Sequence, residues 1–128
     1  MTPVETISVA LGERSYDIRV GQGLVGNAGA LLRDVLARPR AVIVTDQRVA
    51  ALHLPALNQS LDQAGIEHQA VVLPPGEASK SFGQLETLLD RLLEAKVERH
   101  DTILALGGGV IGDLAGFAAS VLRRGIDF

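Results

Sequence analysis

Gly107, Gly109 and Gly112 stand in the spacing G-x-G-x-x-G, and Asp113 follows them directly. That spacing serves a tight turn, a close approach of backbone to a pyrophosphate, and close packing of a helix on a strand. Phosphates would rest on the free N–H groups at the helix start, where the macrodipole favours negative charge. The flanks fit. Residues 102–106 form a β-branched and aliphatic run after the polar break Arg99-His100-Asp101, and from Val110 onward the periodicity turns helical. In a chain with 14 glycines the pattern also describes a turn that merely lets a helix pack on a strand.

Asp113 sharpens the reading. Its helix carries Val110, Ile111, Leu114, Ala115, Phe117, Ala118, Ala119, Val121 and Leu122, so it is apolar nearly all round and expected to be buried. A carboxylate in the first turn gains from the helix dipole but needs partners once buried. Backbone or water would satisfy it; with the glycines just upstream, a ribose or substrate hydroxyl is the favoured partner. Two further polar clusters fall at expected strand ends: Asp46 after residues 41–45, and Glu77 with Lys80 in P-G-E-A-S-K-S, residues 75–81. Carboxylates there accept bonds from ribose hydroxyls, and Lys80 brings positive charge to phosphate or ribose oxygens. Asp46 serves equally as a helix cap, and Glu77 with Lys80 as a solvated i, i+3 pair.

The elements that must position these residues alternate. Residues 6–11 and 16–20 read as a hairpin around Gly12-Glu13-Arg14-Ser15, and residues 24–37 have helical spacing closed by Pro39. The apolar run 41–45 is a strand buried on both faces. Residues 47–64 are helical, with Pro55 expected at the first turn of a second helix after a break. Residues 66–73 form the next strand. Ser81, with Gln84 in capping-box spacing, starts a helix whose face is Phe82, Leu85, Leu88, Leu89, Leu92 and Leu93, a stripe expected in the core. The expected fold is α/β, a mostly parallel, Rossmann-like sheet flanked by helices with an N-terminal β-hairpin, and residues 1–128 form one domain. Residues 125–128 look like the start of another strand, so the chain is expected to be the N-terminal portion of something longer.

Composition excludes several classes. The net charge of −3 and an aromatic content of 3% offer no basic stripe with stacking residues, which argues against nucleic acid. There is no cysteine, so no disulfide or thiolate chemistry, and that fits a cytoplasmic protein. The N-terminus lacks a basic and then apolar leader, and no apolar run approaches the ~18 residues of a membrane span. His53, His68 and His100 sit on separate elements without i, i+4 pairing, so no metal site is expected.

Residues 106–125, L-G-G-G-V-I-G-D-L-A-G-F-A-A-S-V-L-R-R-G, resemble 3-dehydroquinate synthase. The other segments agree in order: Leu11 to Tyr16 with the opening hairpin, Val44-Thr45-Asp46 with a strand end, and residues 75–81 with the P-G-E-x-x-K-S loop. The resemblance implies NAD and a divalent metal, usually zinc. With these the family converts 3-deoxy-arabino-heptulosonate 7-phosphate, a sugar phosphate, to 3-dehydroquinate and phosphate in the shikimate pathway. By motif match, Asp46, Gly76, Glu77 and Lys80 would hold the adenosine and ribose side. The backbone of Gly108, Gly109, Val110, Ile111 and Gly112 would approach the pyrophosphate, and Asp113 would bind the nicotinamide-side ribose. Arg124 would reach the substrate phosphate of the partner subunit in a homodimer, a task suited to its planar fork; the plainer reading is a cation at a helix C-terminus.

Leu122 stands where the family commonly has tyrosine, and Arg48 where a polar residue touches the nucleotide. The family's catalytic lysines, metal ligands and C-terminal α-helical domain would lie beyond residue 128, so the chain alone is expected to be inactive. Other readings are another sugar-phosphate cyclase, a non-catalytic nucleotide-binding or assembly module, or an iron-dependent alcohol or glycerol dehydrogenase. The last is disfavoured by Val110 and Gly116 at that motif's serine and lysine positions.

Overall fold

The computed structural model describes residues 4–75, 81–122 and 125–128. Strands β1 (Glu5–Val9) and β2 (Tyr16–Val20) pair antiparallel around a short 3-10 turn, as the sequence predicts. Their register puts Ile7 opposite Ile18 and Val9 opposite Tyr16 on one side, with the polar pairs Thr6–Arg19 and Ser8–Asp17 on the other.

The second sheet is wholly parallel, in the order β4-β3-β5, from β3 (Arg40–Asp46), β4 (Glu67–Leu73) and β5 (Thr102–Leu106). Strand β3 lies in the middle and is buried along its length up to Asp46, as an unbroken apolar run requires. Ala41 and Ile43 face α2 (Gln47–Gln63), packing with Leu57 and Leu61, whereas Val42 and Val44 face Leu88 and Leu92 of α3 (Phe82–Glu94) and Ile111 and Ala115 of α4 (Gly109–Val121). Helix α2 thus covers one face on the way from β3 to β4, and α3 covers the other on the way back to β5. Two crossovers of one hand require that alternation. Beyond β5, Asp127 forms a parallel bridge with Thr102, so residues 125–128 do turn toward the sheet.

Three local expectations are corrected. The helix expected over 24–37 is a 3-10 turn (Val25–Asn27) and one short helix, α1 (Ala28–Leu32), with Val35 74% exposed. Gly23, Gly26 and Gly29 weaken helix formation there. Gly29 is needed for packing, because a Cβ on it would stand 2.1 Å from the Ser60 carbonyl oxygen while its N–H donates to Ser60 Oγ at 2.8 Å. Helix α2 runs through Pro55 without a break; the proline is on the exposed side, where water reaches the carbonyl it leaves unbonded. In the leucine stripe of α3, Leu88 and Leu92 are fully buried, but Phe82 and Leu93 point outward.

At the amino ends of the strands, the Arg40 guanidinium donates to the buried Asp101 carboxylate and to the Ala95 carbonyl, the latter at 2.6 Å. Asp101 also accepts from the Glu98 backbone N–H at 2.9 Å, and Glu98 pairs at the surface with Arg38. Asp101→Ala strands a buried cation and is expected to lower the unfolding free energy by about 3–5 kcal/mol. Glu98→Ala, at the exposed end of the same group, is expected to cost less than about 1 kcal/mol. Urea denaturation followed by circular dichroism measures both.

Candidate functional site

The ladder between β3 and β5 ends on Thr45 opposite Leu106, so Asp46, the last residue of β3, and Gly107 follow it side by side. The helices that follow lie on opposite faces, which makes this a topological switch point, the place where open α/β sheets bind ligands. A cleft of about 180 Å³ opens there, lined by Asp46, Pro74, Gly108, Gly109, Val110 and Ile111. Two of the three expected clusters therefore meet. Gly76, Glu77 and Lys80 of the third, and Arg124, lie outside the described residues.

The helices that begin around the cleft end differently. Asp46 caps α2, its Oδ1 accepting from the Val49 N–H at 2.8 Å, and Ser81 caps α3 by accepting from the Gln84 N–H at 3.2 Å. Helix α4 starts on Gly108, which has no side chain to offer its first N–H groups. Those donors point out of the helix start beside the cleft with the positive end of the dipole. Asp46 thus plays the cap role and still borders the cleft.

The three motif glycines divide by what surrounds them. Gly107 has φ 154°, and a Cβ there would stand 3.1 Å from the Ile111 side chain, so the turn itself demands glycine. Gly108, Gly109 and Gly112 have nothing within 4 Å of where a Cβ would be. The expected role of Gly112 in close helix–sheet packing is therefore not seen. The fold leaves open space over Gly108 and Gly109 at the helix start and over Gly112 three residues on, a cradle that a diphosphate fits. Ile111 buries its side chain in the core, leaving its backbone for such contact.

Asp113 is exposed, which corrects the expectation of a buried carboxylate on a wholly buried helix. It lines a groove with Ser81, Phe82, Leu85, Leu114 and Phe117, one turn along α4 from the glycine cradle. Sequence reasoning missed that groove and also the place of Pro74 in the cleft lining. Among the described residues no three His, Cys, Asp or Glu side chains gather as a metal site, and no helix is long and apolar enough to cross a membrane.

Residues 70–128 match the family model described as 3-dehydroquinate synthase N-terminal. The 3-dehydroquinate synthase of Rhodospirillum rubrum is 63% identical over 122 residues, 95% of this chain and 32% of its own length. That of Rhizobium leguminosarum bv. trifolii is 57% identical over 98% of this chain and 33% of its own. The chain thus aligns with one part of each of these 3-dehydroquinate synthases. It spans about a third of the length of these curated relatives. Among solved structures, a 2-epi-5-epi-valiolone synthase from Streptomyces hygroscopicus with NAD+ and Zn2+ bound superposes with TM-score 0.75 at 34% identity, over 92% of this chain and 32% of that one. A 2-deoxy-scyllo-inosose synthase, at TM-score 0.80 and 21% identity over 95% of this chain and 34% of its own, shows the shared fold.

The division among the glycines is testable without ligand. Gly107→Ala is expected to cost about 1–3 kcal/mol for its backbone conformation, whereas Gly109→Ala stays within about 1 kcal/mol of the parent. Thermal unfolding of the two variants reads the difference.

Proposed function

We propose that residues 1–128 are the cofactor domain of a 3-dehydroquinate synthase and that NAD lies across the cleft at the carboxyl ends of β3 and β5. The observation that carries this is the uncapped, glycine-lined start of α4 beside Asp46 at the switch point. When bound, NAD supplies a hydride acceptor for the oxidation of a substrate hydroxyl. The backbone N–H groups of Gly109, Val110 and Ile111 hold the diphosphate, with Gly108 and Gly112 leaving room for it. Asp46 accepts from a ribose hydroxyl on the adenosine side, and Asp113 from one on the nicotinamide side. Gly76, Glu77 and Lys80 join the adenosine side and Arg124 the substrate phosphate, on the strength of the motifs alone.

The reaction of the whole protein is the conversion of 3-deoxy-arabino-heptulosonate 7-phosphate to 3-dehydroquinate and phosphate, in the cytoplasm and as a homodimer. The names of the curated relatives support the substrate choice over other cyclases. Among the described residues no three metal-ligating side chains gather; on this reading the divalent ion of the reaction is held by residues outside this chain, and the chain alone performs no turnover.

Calorimetric titration of NAD into the folded chain tests the reading. One saturable site is expected. Gly109→Val, which fills the space over the helix start, weakens it at least about tenfold, a loss of about 1.4 kcal/mol, with an unchanged melting temperature. A folded chain that takes up no NAD, or a Gly109→Val variant that binds as well as the parent, overturns it.

A further inference from the structure

Among the strand residues of the β1–β2 hairpin only Val9 is even partly buried. One side of the ribbon carries Ile7, Tyr16, Ile18 and Val20, each 44–55% exposed. A two-stranded ribbon is marginal by itself in water and gains stability from further strands. The outer edge of β2 pairs with no strand among the described residues, and an unpaired edge is a template for another strand.

The residue order of β2, Tyr16-Asp17-Ile18-Arg19-Val20, selects the strand that fits. Laid antiparallel on a second copy of itself with Ile18 on the two-fold axis, β2 sets Asp17 opposite the partner's Arg19, Arg19 opposite the partner's Asp17, and Tyr16 opposite the partner's Val20. Unlike charges and an aromatic against a β-branched residue are the cross-strand pairs that stabilise a sheet, and the apolar side of the ribbon stays continuous. The neighbouring two-fold registers that keep that side continuous set Asp17 against Asp17 or Arg19 against Arg19, where like charges oppose pairing. Both charges already have a partner in their own strand, at 3.9 Å, so the pairing adds a cross-strand partner to each and strands neither. The edge of β1 carries no such code, because Thr6 and Ser8 on its polar side are uncharged. We infer that the β2 edge is covered by β2 of a second copy of this chain, giving a four-stranded antiparallel ribbon in the order β1-β2-β2-β1 about a two-fold axis through Ile18. The inference rests on the homodimer of the proposed function, whose surface it names, and on nothing in the cofactor cleft.

The absence of cysteine from the chain allows a direct test. Ile18→Cys puts two thiols on the axis, where opposed residues lie about 4.5–5.5 Å apart between Cα atoms, within disulfide reach. Ile7→Cys, separated from its copy by three strand spacings or about 14 Å, is the control. Under mild oxidation the Ile18→Cys chain is expected to form disulfide-linked dimer at least about tenfold faster than the Ile7→Cys chain. In the cysteine-free chain, Asp17→Arg and Arg19→Asp are each expected to weaken dimerisation about tenfold in sedimentation equilibrium, and the two together to restore it to within about threefold of the parent. A dimer in which Ile18→Cys links no faster than Ile7→Cys overturns the inference and leaves the homodimer standing on another surface. A chain that stays monomeric overturns both. Single charge variants that dimerise like the parent, or a double variant that restores nothing, overturn the inference as well. If either charge variant melts well below the parent, the comparison of the two cysteine variants decides alone.

Discussion

Arg40 and Asp101 occupy the position just before the first rung of the β3–β5 ladder, Ala41 opposite Thr102. Their buried ion pair is therefore the amino-terminal end of a register whose carboxyl-terminal end is the cleft. Five rungs later Thr45 faces Leu106, and the next residues are Asp46 and Gly107. A slip of one residue would break the ion pair, turn the apolar side chains of β5 to the wrong faces, and separate the two helix starts that line the cleft. The same guanidinium reaches the Ala95 carbonyl at the end of α3, where a cation also complements the helix dipole. One buried pair thus ties β3, β5 and α3 together, and the site inherits its geometry from the far end of the sheet.

Most of this frame was legible because its signals are local. The unbroken run at residues 41–45 could only be a strand covered on both faces, and Ser81 with Gln84 spelled out a helix start that the structure shows. The failures share a cause. Gly29 could be read as a weak helix former but not as the point where α1 meets the Ser60 carbonyl, because that contact joins residues far apart in sequence. Pro55 sits in α2 without ending it because tertiary placement puts it toward water. Asp113 was misjudged because periodicity reports what a helix is made of, whereas exposure depends on which neighbours lie against each side.

The glycine motif shows how a structure divides a pattern that looks uniform in sequence. Gly107 is required by the turn, whereas Gly108, Gly109 and Gly112 answer to no neighbour among the described residues. A residue such as alanine at Gly109 would favour the helix on propensity alone. Keeping glycine there gives up a little helix stability for open space above a row of unsatisfied N–H groups. Open space there is what the approach of another molecule to the backbone requires, and the proposed cradle rests on it rather than on the spacing.

Contacts made through backbone explain why so little side-chain identity is needed to keep such a cleft. An N–H at a helix start is the same donor whatever side chain follows, so cyclases with only a fifth of their residues in common with this chain build the same frame. The chemistry must then be set by the few side chains that border the cradle. In this chain the nearest carboxylates are Asp46, held in place by its cap bond to Val49, and Asp113, one turn along α4 beside an aromatic groove. The first is fixed by the strand that carries it. The second is carried by α4 one turn beyond the cradle, where it borders the groove between Phe82 and Phe117.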